Sequence, residues 1–510
     1  MRSWHTKPTK ANSLREIPAI PVSFGGLGVD RANPDSRVQK QTANLDHQGP
    51  DSTPRPRGGS ERLSFEDTVL TGLAPNGGLY IPESIPSLPS NWQEKWKSLS
   101  FVDLAVEVLS LYISEDEIPR DDLRKLKLNE KLFVLELFHG PTFAFKDVAL
   151  QLLGNLTEGK LTVVGATSGD TGSAAIYGLR NKENISIFIL HPKGRISPIQ
   201  QAQMTTITDA NVHNIAVKGT FDDCQDVVKA LFGDKEFNEK HRLGAVNSIN
   251  WARILAQTVY YFLSYFRRES ILVPTGNFGD VLAGYYAKRM GLPTDKLIIA
   301  TNSNDILARF WKTGKYERVE LEAETAAAPA SGISDGKDAV KETLSPAMDI
   351  LVSSNFERLL WYLAYEAEGG TVDDACAMSN GRVEVPRKAL ELAKRDFIAE
   401  RVSDDQTLST IRRLYESEPS YIVDPHTAVG LTAAQITASE SEYVAQEIRP
   451  VLRSCCQSLR SSAAFDFDRD VLPRKTQRVI DVESADVDLV KSVIESTVDM
   501  EQTKSSTGCV

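Results

Sequence analysis

Three short stretches of this 510-residue chain carry residue types that can do chemistry together. The first, ELFHGPTFAFKDVALQLLGN (136–155), sets Lys146 among aromatic and aliphatic side chains. Desolvation disfavours an ammonium ion, and a neutral amine can form a Schiff base with an aldehyde. On this stretch alone the ordinary alternative is favoured, a lysine lying along an amphipathic helix with its head in water.

The second stretch is GATSGDTGSAA (165–175), in which Ser168, Gly169, Asp170, Thr171 and Gly172 lead into a helical pattern. Hydroxyls, close backbone approach and helix amides together suit a carboxylate or a phosphate. A polar turn that merely caps a helix is the plain alternative. The third is PTGNFGD (274–280), where a strand runs into Gly276, Asn277, Phe278, Gly279 and Asp280. Glycines there let backbone N–H groups converge on a phosphate, and the following helix adds its dipole. The loop lacks the Gly-Lys-Ser/Thr of a nucleotide P-loop and is not GxGxxG. A pocketed lysine, one anion loop for a substrate and another for a cofactor phosphate describe a pyridoxal-phosphate enzyme, and the combination is far more specific than any part.

The elements that must position these stretches alternate. KLFVLEL reads as a strand before the lysine helix. KLTVVGA (160–166), NISIFIL, VHNIAVKG, ILVPTG (271–276) and KLIIAT read as strands with helical patterns between them. Such alternation predicts an α/β fold with mostly parallel sheets, whose ligands gather at strand C-termini. Residues 250–267 predict a longer helix, 384–416 a charged helical region, and 421–434 a short strand, a DPHTAVG turn and a helix. One amphipathic helix is expected near 485–499. Residues 1–58 read as a disordered, locally basic tail, 59–130 as a small helical N-terminal domain, and 131–445 as the catalytic α/β domain. Residues 321–342 form a flexible insertion in that domain, and 446–510 are a diverged C-terminal segment and tail.

Composition is that of an ordinary globular protein, 41% hydrophobic and 25% charged, with no apolar run long enough to span a membrane. A net charge of −11 argues against a nucleic-acid binder. Five scattered cysteines without a CxxC pair suit a reducing compartment, and histidines without HxxxH spacing give no metal site. The expectation is a cytoplasmic enzyme, monomer or homodimer, acting on a small molecule. His139 and His426 are read as satisfying backbone carbonyls, and Cys224 as a small apolar group in its helix.

With these motifs in hand, the chain resembles the threonine synthases of the fungal and bacterial branch. The resemblance is carried by LAPNGGLYIPE, ELFHGPTFAFKDVALQLL, ATSGDTGSAAI, HPKGRISPIQQAQM, NSINWARILAQ, PTGNFGD, LSPAMDILVSSNFERLLWYL and DPHTAVG, over about residues 63–435. It implies fold type II, the tryptophan-synthase-β-like arrangement of two α/β lobes with pyridoxal 5′-phosphate between them. It implies that Lys146 holds the cofactor as a Schiff base and shuttles protons. Gly276, Asn277, Phe278, Gly279 and Asp280 would hold the cofactor phosphate, and the 168–172 loop the substrate's α-carboxylate. The implied reaction converts O-phospho-L-homoserine and water to L-threonine and phosphate, the last step of threonine biosynthesis. Lys193, Arg195 and Arg253 are the candidates for gripping the substrate phosphate, weighed evenly against a surface lysine or a structural arginine.

Two departures stand out. The family's Tyr-x-Ser-Thr-Arg-Gly segment is replaced here by DSTPRPRGGSERLSF. Its late Ser/Thr-Ala-His-Pro-Ala-Lys-Phe segment, whose hydroxyl meets the cofactor ring nitrogen, is replaced by RPVLRSCCQSLRSSAAFDFDRDVLP (449–473), with Ser454 as the stand-in hydroxyl. A reading-frame or splice error would also give a local loss with both flanks preserved. A true loss would weaken the electron sink, which raises the alternative of a diverged lyase on another amino acid or an inactive paralogue with a binding role.

Overall fold

The computed structural model describes residues 63–74, 78–120, 123, 141–142, 144–156, 160–182, 184–267, 272–317, 340–350, 352–367, 382–417, 422–440 and 478–507. The tail, His139, the KLFVLEL strand, residues 318–339 and the 449–473 segment with Ser454 therefore lie outside the described residues.

Among the described residues, ten strands form three sheets. In chain order they are β1 (Leu161–Ala166), β2 (Ile185–Pro192), β3 (Val212–Val217), β4 (Leu243–Ala245), β5 (Leu272–Pro274), β6 (Leu297–Thr301), β7 (Lys315–Glu317), β8 (Arg382–Glu384), β9 (Phe397–Arg401) and β10 (Ile480–Val482). The first sheet is parallel throughout, in the order β10-β3-β2-β1-β4. Its strands are almost wholly buried, as they must be when helices cover both faces. Ile187, Ile189 and Val212 face the core shared with helices Lys146–Leu156 and Asp170–Leu179. Phe188, Leu190, Ile215 and Val217 face helices Phe221–Gly233 and Val487–Thr507. The second sheet, β5-β6-β9, is also parallel. A β7-β8 hairpin-like pair is antiparallel.

Two backbone details aim the chemistry. Helices Lys146–Leu156 and Asp170–Leu179 run side by side in the same direction. A Cβ on Gly154 would lie 2.2 Å from the Gly178 carbonyl oxygen, and one on Gly178 2.5 Å from that of Leu150. Glycine is required at this crossing, and the close packing brings the two helix starts, with Lys146 and Asp170, to one end. The long helix Trp251–Arg267, buried on nearly every side, packs against both the lysine helix and helix Gly279–Met290. A Cβ on Gly284 would meet the Tyr261 ring at 2.4 Å, so this contact too is backbone-close.

The structure corrects several expectations. Residues 384–416 are not continuously helical: helix Arg387–Asp396 gives way to β9, and helix Asp404–Tyr415 follows. β9 is short and half apolar, so its charges hid its place beside β6. Residues 422–424 form no strand, and DPHTAVG is a helix start rather than a turn. The Asp424 carboxylate accepts from the amides of His426 (2.9 Å) and Thr427 (3.2 Å), with Pro425 opening the helix. The last three residues assigned to the insertion are anchored, since Lys341 exchanges hydrogen bonds with the Asn304 side chain. The C-terminal helix is longer than expected, Val487–Thr507, and β10 before it returns to the edge of the first sheet.

Candidate active site

Lys146 opens its helix at the C-terminal edge of the first sheet. The turn before it is pinned by groups that sequence reasoning did not single out. The buried Asp147 carboxylate accepts from Thr142 N (3.0 Å), Thr142 Oγ1 (2.6 Å) and Ala144 N (3.3 Å). Burial raises its pKa and these hydrogen bonds partly offset that. Tyr260 donates to the Phe145 carbonyl at 2.8 Å, and Gln203 to that of Thr142 at 3.2 Å.

The amine itself is in an ion pair, which the reading of a neutral buried lysine did not anticipate. Lys146 Nζ lies 3.2 Å from Asp170 Oδ2, with the lysine side chain 14% exposed. Its Nζ is also 5.2 Å from the centre of the Phe145 ring. Asp170 Oδ1 accepts from Gln200 Nε2 at 2.5 Å. Burial opposes ionisation of Asp170, but Lys146, His426 and Gln200 outweigh it and hold the carboxyl below its usual range.

In the 168–172 loop the hydroxyl of Thr167 accepts from the amides of Gly169 (2.9 Å) and Gly172 (2.8 Å). These two glycines therefore shape the loop and do not donate to a ligand. Gly169 has φ +144°, and a Cβ there would sit 2.3 Å from Gln200 Oε1. The hydroxyls of Ser168 and Thr171 have no hydrogen-bond partner among the described residues, and the amides of Ser168, Asp170 and Thr171 find no carbonyl partner there.

The 276–280 loop is built the other way round. Its carbonyls are held: Ser353 Oγ donates to Gly276 O at 2.7 Å, and Asn355 donates to Asn277 O through N (3.2 Å) and Nδ2 (3.1 Å). Its amides find no carbonyl partner among the described residues. Phe278 is left-handed at φ +63°, a strain of about 1 kcal/mol for a non-glycine residue. The strain is retained because the ring fills a buried cluster with Trp311, Phe356 and Phe397. Asn277 Oδ1 is buried without a partner. The Asp280 carboxylate turns away onto Tyr261, whose hydroxyl reaches Asp280 O (2.8 Å) and Oδ1 (3.2 Å). Burial pushes the Asp280 pKa up to about 6, partly countered by Tyr261 and Lys146. Of Asp280, then, only the amide suits the cradle, because a carboxylate facing a phosphate would repel it.

Two further segments join the loops. Asn247 exchanges hydrogen bonds with the backbone of Ala166 (3.1 and 3.2 Å), and Asn355 Nδ2 donates to Ser248 O at 3.0 Å. Segment 247–250 thus ties the end of β1 to the second loop. The buried Arg358 guanidinium holds Tyr80 O, Ile249 O and Asn355 Oδ1 together. His426 accepts from Ala347 N (3.2 Å) through Nε2, which leaves the Nδ1 proton for Asp424 at 3.3 Å. Its backbone partner is an amide, not the carbonyl expected.

Two of the cations proposed from sequence are placed elsewhere. Lys193 is exposed and pairs with Asp481 (3.2 Å) and Glu483 (3.8 Å) around β10. Those acids come from the C-terminal segment, whose return to the first sheet was not legible. Arg253 is buried, with Nη1 donating to Val246 O at 2.9 Å, and burial lowers its pKa to about 10. It is a structural arginine under segment 247–250. Arg195 is exposed on the turn after β2. Cys224 is buried in its helix among apolar side chains, as its apolar reading required.

A lysine amine at the edge of one parallel sheet, and amides without carbonyl partners at the edge of a second, are the groups that an aldehyde cofactor bearing a phosphate would need. The free amides, the buried and unpartnered Asn277 Oδ1 and the primary amine all fit pyridoxal phosphate. A profile of the family described as "Pyridoxal-phosphate dependent enzyme" matches residues 118–354, so the class is pyridoxal-phosphate-dependent enzymes of fold type II. A profile described as "Threonine synthase N terminus" matches residues 53–128. The chain is 50% identical to threonine synthase of Schizosaccharomyces pombe, over 88% of this chain and 98% of that one. It is 47% identical to threonine synthase of Saccharomyces cerevisiae, over 85% and 95%. The crystal structure of threonine synthase from yeast superposes with a TM-score of 0.70 at 44% identity, covering 88% of this chain and 98% of that one. The pyridoxal-phosphate-bound threonine synthase from Brucella melitensis gives 0.69 at 36% identity, covering 87% and 98%. The chain belongs to the threonine synthase family.

Proposed function

We propose that this protein converts O-phospho-L-homoserine and water to L-threonine and phosphate. The observation that carries the reading is the placement of Lys146 at the mouth of the first sheet, paired with Asp170, together with a second loop whose free amides suit a phosphate. Family membership supports the choice of reaction.

Pyridoxal phosphate, when bound, supplies an aldehyde for an imine and an electron sink for charge developing on the substrate carbons. Lys146 holds it, and the amides of Gly276, Asn277, Phe278, Gly279 and Asp280 hold its phosphate at the start of helix Gly279–Met290. Ser168 and Thr171 receive the substrate carboxylate through their hydroxyls and the helix start behind them. Lys146 Nζ moves protons to and from the substrate carbons, and Asp170 receives the amine when it carries a charge. Arg195 is the remaining cation for the substrate phosphate. The enzyme works in the cytoplasm as a monomer or homodimer.

The purified protein should show cofactor absorbance that borohydride fixes onto the Lys146 peptide. It should release phosphate and threonine in equal amounts from O-phospho-L-homoserine. Cofactor on Lys146 without that turnover would support a lyase for another amino acid, and no cofactor would support a binding protein. Lys146→Ala should lower turnover by at least about 10³-fold; a variant retaining activity would refute the assignment.

A further inference from the structure

Asp170 belongs by position to a loop that holds a carboxylate, yet its own carboxylate is turned to the lysine. A negative side chain would repel a substrate carboxylate, so its presence needs another reason. The geometry around it is built for a cation. Oδ2 meets Lys146 Nζ at 3.2 Å, while Oδ1 is fixed by Gln200 Nε2 at 2.5 Å. Gln200 is itself placed: Ser197 caps helix Pro198–Thr205 by accepting from Gln200 N at 3.2 Å and donates to Gln200 Oε1 at 3.0 Å. Only a glycine at 169 leaves room for that amide, since a Cβ would stand 2.3 Å from its oxygen. Three elements therefore converge to aim one carboxylate at one amine: the start of helix Asp170–Leu179, the start of helix Pro198–Thr205, and the start of the lysine helix.

We propose that Asp170, oriented by Gln200, is a positioning residue that docks the Lys146 amine whenever it is not joined to the cofactor. The inference rests on the reading of Lys146 as the cofactor lysine. Each turnover frees that amine while the substrate occupies its place, and a four-carbon stem with a loose head would lose its aim. Docking to Asp170 keeps the amine beside the substrate as an ammonium ready to give a proton, and returns it for the next capture. The other titratable groups facing this pair are Asp147 on the lysine helix, Asp280 on the second loop and His426 on helix Pro425–Glu440. Asp147 is held by Thr142 and Ala144, and Asp280 by Tyr261, which leaves Asp170 as the acid in contact with the amine.

The test is trace acetylation of the cofactor-free full-length protein with acetic anhydride at pH 7.5, read by mass spectrometry of the Lys146 peptide against surface lysines. In Asp170→Asn the Lys146 acetylation rate should rise about tenfold relative to wild type, because the amine is no longer held in contact with a carboxylate. In the cofactor-loaded enzyme the same variant should lose kcat by about tenfold. A merely structural role would not speed one process and slow the other. Gln200→Ala should move both in the same directions by about threefold, and it decides the matter if Asp170→Asn does not fold by circular dichroism. Unchanged Lys146 acetylation in folded Asp170→Asn, or in Gln200→Ala where that variant must decide, would overturn the proposal. Borohydride mapping of wild type keeps the two readings apart, since cofactor found away from Lys146 defeats the catalytic assignment whatever the acetylation shows.

Discussion

The two glycine-bearing loops look alike in sequence and are held differently in the structure, one by its glycine amides and the other by its carbonyls. The loop at 168–172 turns inward at its glycines: Thr167 takes the amides of Gly169 and Gly172, and what remains among the described residues is the hydroxyls of Ser168 and Thr171 and the amides of Ser168, Asp170 and Thr171. The loop at 276–280 turns outward: Ser353 and Asn355 take its carbonyls, and what remains is amides. The difference suits the ligand proposed for each. A substrate enters and leaves, and hydroxyls that rotate can follow it. A cofactor phosphate stays, and fixed N–H groups at a helix start hold it without moving. Glycine content alone therefore does not distinguish a loop that donates its backbone from one that has already used it.

Among variants that bear on the two loops, the largest effect should come from breaking the inward loop at its own acceptor. Thr167→Val keeps the shape but strands two buried amides, each costing about 1–3 kcal/mol. Turnover should fall by roughly a hundredfold or more, while cofactor affinity, measured by absorbance titration of the cofactor-free protein, should stay within about twofold. Equal losses of turnover and cofactor affinity would mean that the loops are not separate devices.

Much of this was legible in the sequence, for physical reasons. Buried parallel strands leave continuous apolar runs, so β1, β2, β3, β5 and β6 stood out, as did the lysine and both loops. β9 and β10 did not, because each is a short, partly charged strand that earns its place through pairing across the chain. The tyrosine pair in helix Trp251–Arg267 was missed for a different reason. Tyr260 and Tyr261 sit in an apolar run, yet a buried hydroxyl needs an acceptor: Tyr260 reaches the lysine turn and Tyr261 the second loop. A Tyr-Tyr doublet within an apolar helix was the available signal. Lys193 and Arg253 were offered on charge alone, and charge does not say which acid or carbonyl lies nearest in space.

Asp280 offers a second break, read in stability. Its pKa is about 6 in the folded protein, pushed up chiefly by burial. With the folded value raised, the unfolded chain ionises first as pH rises, so stability falls between about pH 4 and 6 and stays lower above that. Asp280→Asn should therefore raise stability at pH 8 by on the order of 2 kcal/mol, with little change at pH 4. Thermal melts of the cofactor-free protein at the two pH values check this. A stabilised but less active variant would show that the acid is kept near Lys146 for function rather than for folding. A destabilised one at pH 8 would mean that Tyr261 needs the charged oxygen more than burial opposes it.

The smallest effect, and the sharpest for the comparison, is at Ser353. It is buried, and its hydroxyl touches no part of the cradle that would meet a phosphate; it holds the Gly276 carbonyl from behind at 2.7 Å. Ser353→Ala removes one hydrogen bond and leaves that carbonyl to reorient, a cost of about 1 kcal/mol. Because the peptide's N–H and C=O turn together, loss of the rear tether should blur the aim of the Asn277 amide and weaken the cofactor by about fivefold. The KM for substrate should be unchanged at saturating cofactor. This is the mirror image of Thr167→Val, with cofactor affinity down and turnover kept. If Ser353→Ala instead lowered turnover with cofactor affinity intact, the outward loop would serve the substrate, and the division of labour between the two loops would have to be reversed.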